Sequence, residues 1–100
     1  MNREHKYYVG DAITFRGVFK IDGVEQTPDA DSAKVQIWKI GVTTATLVET
    51  GAFIVGTQVQ YKYTTTAAGE YIIYLTATFN SAADKRTGAI EFIVLEKKAY

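Results

Sequence analysis

Few residues of this 100-residue chain could act as nucleophiles or general bases. The sequence contains one histidine, His5, two serines, Ser32 and Ser81, and no cysteine. A serine hydrolase site needs a base that a third group holds beside the nucleophile. His5 lies close to the N-terminus, and both serines fall in predicted loops without an evident partner. The sequence therefore predicts a protein that is not an enzyme, with no catalytic residue and no cofactor.

Aspartates are the candidate metal ligands. Asp29 and Asp31 follow Pro28 in one predicted loop, and Asp22 or Asp84 could add further oxygen atoms. A Ca²⁺ ion takes about six to eight oxygen ligands, and the spacing of these residues is not that of an EF-hand loop. Aspartates in such stretches commonly stabilise turns through hydrogen bonds to nearby backbone. We therefore expect turn roles for them and predict no metal site.

Composition indicates an all-β protein. The chain has nine Val, nine Ile, thirteen Thr and 13% aromatic residues, but only three Leu. These abundant types favour strands. The formal net charge is zero, with eleven basic and eleven acidic residues, which argues against a dedicated nucleic-acid or membrane-surface binder. The apolar runs are too short to cross a bilayer, and the charged N-terminus lacks the pattern of a signal peptide.

Apolar residues alternate with polar ones along most of the chain, as expected of half-buried strands. The alternation predicts seven or eight strands, near residues 7–9, 13–21, 33–40, 45–49, 53–55, 58–64, 71–79 and 89–94. Residues 24–32 and 80–86 are predicted loops, and residues 64–69 are a corner with room for one helical turn. We expect one domain over residues 1–100, with its core in 7–95 and short solvated termini. Its architecture is an antiparallel two-sheet sandwich, with a small barrel as the alternative.

Aromatic residues are the candidate binding residues, because rigid rings suit the recognition of sugars or peptides. Tyr61 and Tyr63 share the parity of a predicted core position and are expected to pack inside. Ile72 and Tyr74 instead alternate with the inward set of the longest predicted strand. Either the outer face of that strand packs against something, or the inward assignment is reversed. Trp38 also has the opposite parity to the core positions of its strand, so it is partly exposed unless a bulge turns it inward.

The segment Ala68-Gly69-Glu70-Tyr71-Ile72-Ile73 resembles the start of strand F in immunoglobulin-like domains. The resemblance implies that Tyr71, with Gly69 before it, caps the corner between two strands by bonding its hydroxyl to upstream backbone. Ile73 stands where antibody domains carry a cysteine. The lack of that disulfide fits bacterial or viral relatives rather than antibodies.

A second resemblance covers most of residues 9–95. The chain resembles small immunoglobulin-like proteins of tailed-phage structural gene clusters in four features. These are the Gly10-Asp11 step, the long alternating strand after it, the Asp22-Gly23 turn and the run Thr64–Tyr71. This resemblance implies a structural protein of the virion that binds other proteins or copies of itself. We therefore expect it in the virion or the cytoplasm of the producing cell. The alternatives are a bacterial surface adhesion module and a carbohydrate-binding sandwich module, because surface-adhesin repeats begin similarly.

Overall fold

The computed structural model describes residues 5–41 and 48–96, which form strands and turns and contain no helix. Three groups of strands account for the elements of this part of the chain. The strands are β1 (His5–Tyr8), β2 (Ala12–Val18), β3 (Lys20–Ile21), β4 (Val24–Glu25), β5 (Lys34–Lys39), β6 (Val48–Gly51), β7 (Phe53–Val55), β8 (Gln58–Thr64), β9 (Gly69–Phe79) and β10 (Asp84–Leu95). The prediction of an all-β chain is confirmed.

The larger sheet has five strands in the order β1-β10-β9-β5-β6. Strands β9 and β10 form its long central hairpin, in register from Phe79 opposite Asp84 to Gly69 opposite Val94. The pairs β5–β9 and β5–β6 are also antiparallel, but β1 runs parallel to β10. The expectation of a wholly antiparallel architecture is therefore wrong at this edge. Two parallel strands cannot be joined by a tight turn, and β1 and β10 need none because all the other strands lie between them in the chain.

The smaller sheet has three antiparallel strands in the order β2-β8-β7. Strands β3 and β4 continue from β2 as a two-residue ladder closed by Asp22 and Gly23. Both turn residues have positive φ, 54° and 80°, as a tight hairpin turn of this kind requires. The turn at Asp22-Gly23 is thus confirmed, but residues 24–25 belong to a strand rather than to a loop.

One hydrophobic core is built from the facing sides of the two sheets. Phe15 of β2 contacts Phe92 of β10, with ring centroids 4.9 Å apart. Gly17 lies so close to the other sheet that a Cβ atom there would come within 3.3 Å of Leu75 Cδ1. This close backbone approach lets the C-terminal part of β2 pack tightly onto β9.

The alternation predicted for β9 is confirmed. Its odd-numbered residues from 71 to 79 are all buried, and its even-numbered residues from 72 to 78 are half-buried. This pattern excludes the reversed assignment of its two faces. The half-buried Tyr61 and Tyr63 of β8 pack against the core, also as expected.

Several predicted boundaries are wrong. Residues 84–86 are the start of β10, so the predicted loop 80–86 is only a tight turn at residues 80–83. The corner at residues 65–68 contains no helical turn. The strand predicted for 45–49 extends to Gly51, the last residue of β6. The edge strand predicted for 45–49 is seen from Val48 onward, while residues 42–47 and the tail at 97–100 lie outside the described residues.

Asp29 holds the tight turn between β9 and β10. Its carboxylate accepts hydrogen bonds from the backbone N–H of Ala82 at 2.8 Å and of Ser81 at 3.2 Å, and from Thr78 Oγ1 at 3.0 Å. The N–H of Ala82 is the main cause that lowers the pKa of Asp29, because such bonds favour the charged carboxylate. The aspartate therefore has the turn role that the sequence predicts.

Candidate functional site

Tyr71 fixes the corner at which β9 begins. Its hydroxyl donates a 2.6 Å hydrogen bond to the carbonyl oxygen of Ala67, as expected of a tyrosine at this corner. The ring stacks on Phe92, with centroids 5.3 Å apart and an interplanar angle of 14°. Burial raises the pKa of Tyr71, and the nearby Tyr63 adds to the effect. The buried ring thus anchors the strand whose alternate residues reach the outer surface.

Gly69 has a conformational reason to be a glycine. Its φ is +150°, a backbone conformation that residues with a Cβ atom rarely adopt. A Cβ atom here would also lie 2.7 Å from Cε of Lys39, the end of a flexible side chain that can move aside. Gly69 and Tyr71 therefore act together in the structure of the corner, and neither is exposed as a binding group.

The candidate site is the outer face of the five-stranded sheet. Trp38 is the cross-strand partner of Ile72, and Gln36 is that of Tyr74. These four side chains are half-buried although they lie on the side away from the core. Trp38 Nε1 donates to Gln36 Oε1 at 3.4 Å, a long contact. The structure therefore brings together the three residues that the sequence singled out, Trp38, Ile72 and Tyr74, and it places them at the centre of one face.

A groove with acidic side chains lies at one end of this face. It has a volume of about 620 Å³. We call it the acidic groove and define it by Glu70, Ile72, Ala89, Glu91 and Ile93, which are among the residues that line it. Apolar side chains and His5 also line this groove, and its two carboxylates come from neighbouring strands, β9 and β10.

A second groove lies at the other end of the face. Its volume is about 470 Å³. We call it the basic groove and define it by Lys34, Tyr74, Thr76, Lys85 and Thr87, which are among its lining residues. Thr76 and Thr87 are cross-strand partners whose hydroxyl oxygens lie 3.2 Å apart. The two lysines come from β5 and β10, on either side of these hydroxyls.

The separation of charge along the face is not apparent from the sequence. Glu70 and Glu91 are 21 positions apart in the chain, and Lys34 and Lys85 are still further apart. Lys34 and Glu91 belong to the predicted solvent-facing sets of their strands, whereas Glu70 precedes the predicted strand 71–79 and Lys85 falls in the predicted loop 80–86. Only the register of β5, β9 and β10 brings these two carboxylates to one end of the face and these two ammonium groups to the other.

A second exposed apolar site lies at the edge of the smaller sheet. Phe53 and Val55 of β7 are 70% and 54% exposed. They are cross-strand partners of Gln60 and Gln58 in β8. The sequence analysis identified this run as a strand but did not predict that it is exposed. The strand has only three residues, so the apolar surface that it offers is narrow.

The candidate catalytic and metal-binding residues are not assembled into a site within the described residues. His5 is exposed at the start of β1. The Ser32 hydroxyl donates to the carbonyl oxygen of Asp29 at 2.8 Å and accepts from the N–H of Thr78 at 3.2 Å, which are structural contacts. Ser81 lies in the tight turn that Asp29 holds. In residues 5–41 and 48–96, no group of three or more His, Asp or Glu side chains could hold a metal ion.

Comparison with known proteins gives no family for this chain. No helix in the described part of the chain could span a membrane. The sequence and the structure match no family model, no curated protein and no solved structure.

Proposed function

We propose that this protein is a non-enzymatic structural and interaction module of a phage or prophage particle. In this proposal the domain is an immunoglobulin-like sandwich, and it binds other proteins or copies of itself through the outer face of the five-stranded sheet. The observation that carries the proposal is the half-buried cluster of Trp38, Ile72 and Tyr74 at the centre of that face.

The strand order supports the immunoglobulin-like assignment. One sheet has five strands ordered β1-β10-β9-β5-β6, and the other has three ordered β2-β8-β7. This order is similar to that of variable-type immunoglobulin domains, in which strands G, F, C and C′ share one sheet and strands B, E and D share the other. The hydrogen bond from Tyr71 to Ala67 gives further support. In that fold a tyrosine near the start of the same strand bonds to backbone a few residues upstream.

The outer face supports an interaction role. When one side of an antiparallel sheet packs on the core, the other side is commonly polar because it faces water. Here an indole, a phenol and an isoleucine occupy the middle of the solvent-facing side, with charged groups at either end. Aromatic residues are enriched at the centres of protein interfaces and charged residues are depleted there. The face therefore has the composition of a contact surface.

The particle setting rests on the sequence resemblance and can be tested by mass spectrometry. Particles are purified after prophage induction of the organism that encodes the chain, and the copy number of the protein is measured. We expect many copies in each particle. If the protein is absent from particles but present in the medium or on cells, the particle assignment is wrong and the surface-adhesion alternative replaces it.

A carbohydrate-binding role is the second candidate, because Tyr74 lies beside the hydroxyl groups of Thr76 and Thr87 in the basic groove. Sugars stack on aromatic rings and bond to such hydroxyls. This role predicts that a glycan changes the fluorescence of Trp38, which lies next to Ile72 on the same face. A titration across a glycan panel with no change in emission would remove the carbohydrate role and leave protein partners.

A further inference from the structure

We infer that the outer face of the five-stranded sheet binds the same face of a second copy of this chain, in a two-fold dimer. The acidic groove of each copy then covers the basic groove of the other. This inference rests on the proposed interaction function and adds the identity of the partner. It follows from the charges on the face, from the strand register and from the size of the face.

The charges on the face are available for an intermolecular contact. No ion pair within the described residues involves Glu70, Glu91, Lys34 or Lys85. The carboxylates lie at the end of the face where β9 begins, and these two lysines lie towards the end of β9. Lys6 of β1 also lies at the carboxylate end and has an interaction of its own, so the two carboxylates there outnumber one ammonium group. A surface with opposite charges at its two ends is complementary to itself after a half-turn. Two-fold interfaces require this property, because the same patch is used by both partners.

The register shows which groups would meet. We place the two-fold axis through Tyr74, parallel to the sheet and perpendicular to its strands. Residues that are equally far from Tyr74 in opposite directions along β9 then face each other. Lys85, which is the partner of Thr78 in β10, then faces Ile93 of the second copy, two residues along the strand from Glu91. Glu70 lies one strand away on one side of that position and Lys6 one strand away on the other, so Lys85 meets two carboxylates and one ammonium group. Such complementary charges fix the orientation of an interface and suppress other partners.

The same axis brings a lysine over the tryptophan. Lys34 is the partner of Thr76, and Trp38 is the partner of Ile72. The two residues therefore lie on β5 at equal distances, two residues each, on opposite sides of the Tyr74 row. After the half-turn, Lys34 of one copy lies above Trp38 of the other. An ammonium group over an indole is attracted by the ring, most strongly where water is excluded. Packed sheets cross at about 30°, an offset that the long lysine side chain can span.

The face is large enough for a stable contact. Its five strands contain 37 residues, and at about 3.3 Å of strand per residue and about 4.8 Å between strands they cover roughly 600 Å². This area is at the lower end of the roughly 600–1,000 Å² that each partner contributes to a stable interface. The exposed Phe53 and Val55 on β7 do not offer a comparable area, because that strand has only three residues.

Sedimentation of charge-reversed variants tests the dimer. We expect the purified chain to dimerise reversibly, and we expect Lys85→Glu or Glu91→Lys alone to weaken the dimer about tenfold or more, since each variant places like charges opposite each other. An equimolar mixture of the two variants should form a heterodimer. In that heterodimer both contacts again join a carboxylate to an ammonium group. Restoration by mixing is the result that a merely structural defect of either variant would not give.

Two control variants separate this face from the rest of the surface. Lys62→Glu makes the same charge change at an exposed position of β8 in the smaller sheet. Phe53→Ser removes the exposed aromatic ring on β7. Neither should change the dissociation constant of the dimer. Circular dichroism confirms that each variant is folded.

Three results would overturn the inference. They are a monomer at millimolar concentration, a dimer that Lys85→Glu does not weaken, and a mixture of the two charge variants that remains monomeric. A dimer lost in Phe53→Ser but kept in Lys85→Glu would assign self-association to the smaller sheet. A monomer that is nevertheless found in particles would overturn the dimer and leave the proposed function intact, so that the two failures can be distinguished.

Discussion

Trp38 and Ile72 lie directly opposite each other across β5 and β9, on the side of the sheet that faces away from the core. Their neighbours along the two strands, Ile37 and Ile73, are themselves partners and are fully buried. The same two strands therefore present apolar pairs on both of their sides. The inner pair belongs to the core of the domain, whereas in our proposal the outer pair is covered by a partner.

Tyr71→Phe should lower the free energy of unfolding by about 1 kcal/mol or more. The variant keeps the ring that stacks on Phe92 but removes the hydroxyl that donates to Ala67, and an unpaired carbonyl group costs stability. Chemical denaturation measures the change. Tyr61→Phe is the matched control, because the Tyr61 hydroxyl makes no hydrogen bond to another described residue. An unchanged midpoint for Tyr71→Phe would argue against the corner role.

Asp29→Asn should destabilise the protein at neutral pH and matter less in acid. The folded state lowers the pKa of Asp29 below its ordinary value of 3.8. The charged carboxylate therefore adds stability above pH 3.8, and this contribution is lost as the pH falls through the lower folded pKa. Stability curves of both proteins between neutral and acid pH measure the effect.

The control for Asp29 is Asp31→Asn in the same loop. Asp31 is exposed and makes none of the hydrogen bonds that hold the turn between β9 and β10, so its substitution should destabilise the protein less than Asp29→Asn does at neutral pH. If Asp29→Asn and the unmodified protein differ by the same amount at every pH, the lowered pKa of Asp29 is wrong.

Ala82→Gly should stabilise the protein by roughly 0.5–1 kcal/mol. Ala82 has a φ of 70° and follows two further residues with positive φ, Asn80 and Ser81. This conformation costs an L-residue with a Cβ atom about 1–2 kcal/mol, a cost that glycine avoids, although glycine loses more backbone entropy on folding. Thermal or chemical denaturation measures the difference.

Ala83→Gly is the matched control for Ala82→Gly. Ala83 is the next residue in the same turn, and its φ is not positive. Here glycine gains nothing and should destabilise the protein slightly, through backbone entropy. Equal effects of the two substitutions would contradict the conformational explanation.

Local sequence patterns were sufficient to predict features that lie within one strand or one turn. The alternation from Tyr71 to Phe79 predicts both faces of β9, and the Asp22-Gly23 pair predicts its hairpin turn. The same alternation identified Ile72 and Tyr74 as outward residues. These features depend on residues that are adjacent in the chain, so they can be predicted from the sequence alone.

Pairing between distant strands was not predictable in the same way. The parallel contact of β1 with β10 joins His5 to Phe92, and no local pattern specifies such a neighbour. The polar residues 84–86 were predicted to be a loop. They form the start of β10 instead, because β9 supplies hydrogen-bonding partners along the whole length of that strand. The charge pattern of the outer face depends on this register, which explains why the sequence identified its aromatic centre but not its two charged ends.

The fluorescence of Trp38 reports directly on whether the outer face is covered. Trp38 is the single tryptophan of the chain, and it is half-buried at the centre of that face. Emission and iodide quenching are measured across a wide range of protein concentration, for the unmodified chain and for Lys85→Glu. We predict that emission moves to shorter wavelength and quenching decreases as the dimer forms, and that Lys85→Glu shows the change only at higher concentration. If the protein associates while the emission and quenching of Trp38 stay constant, the outer face is not the contact surface.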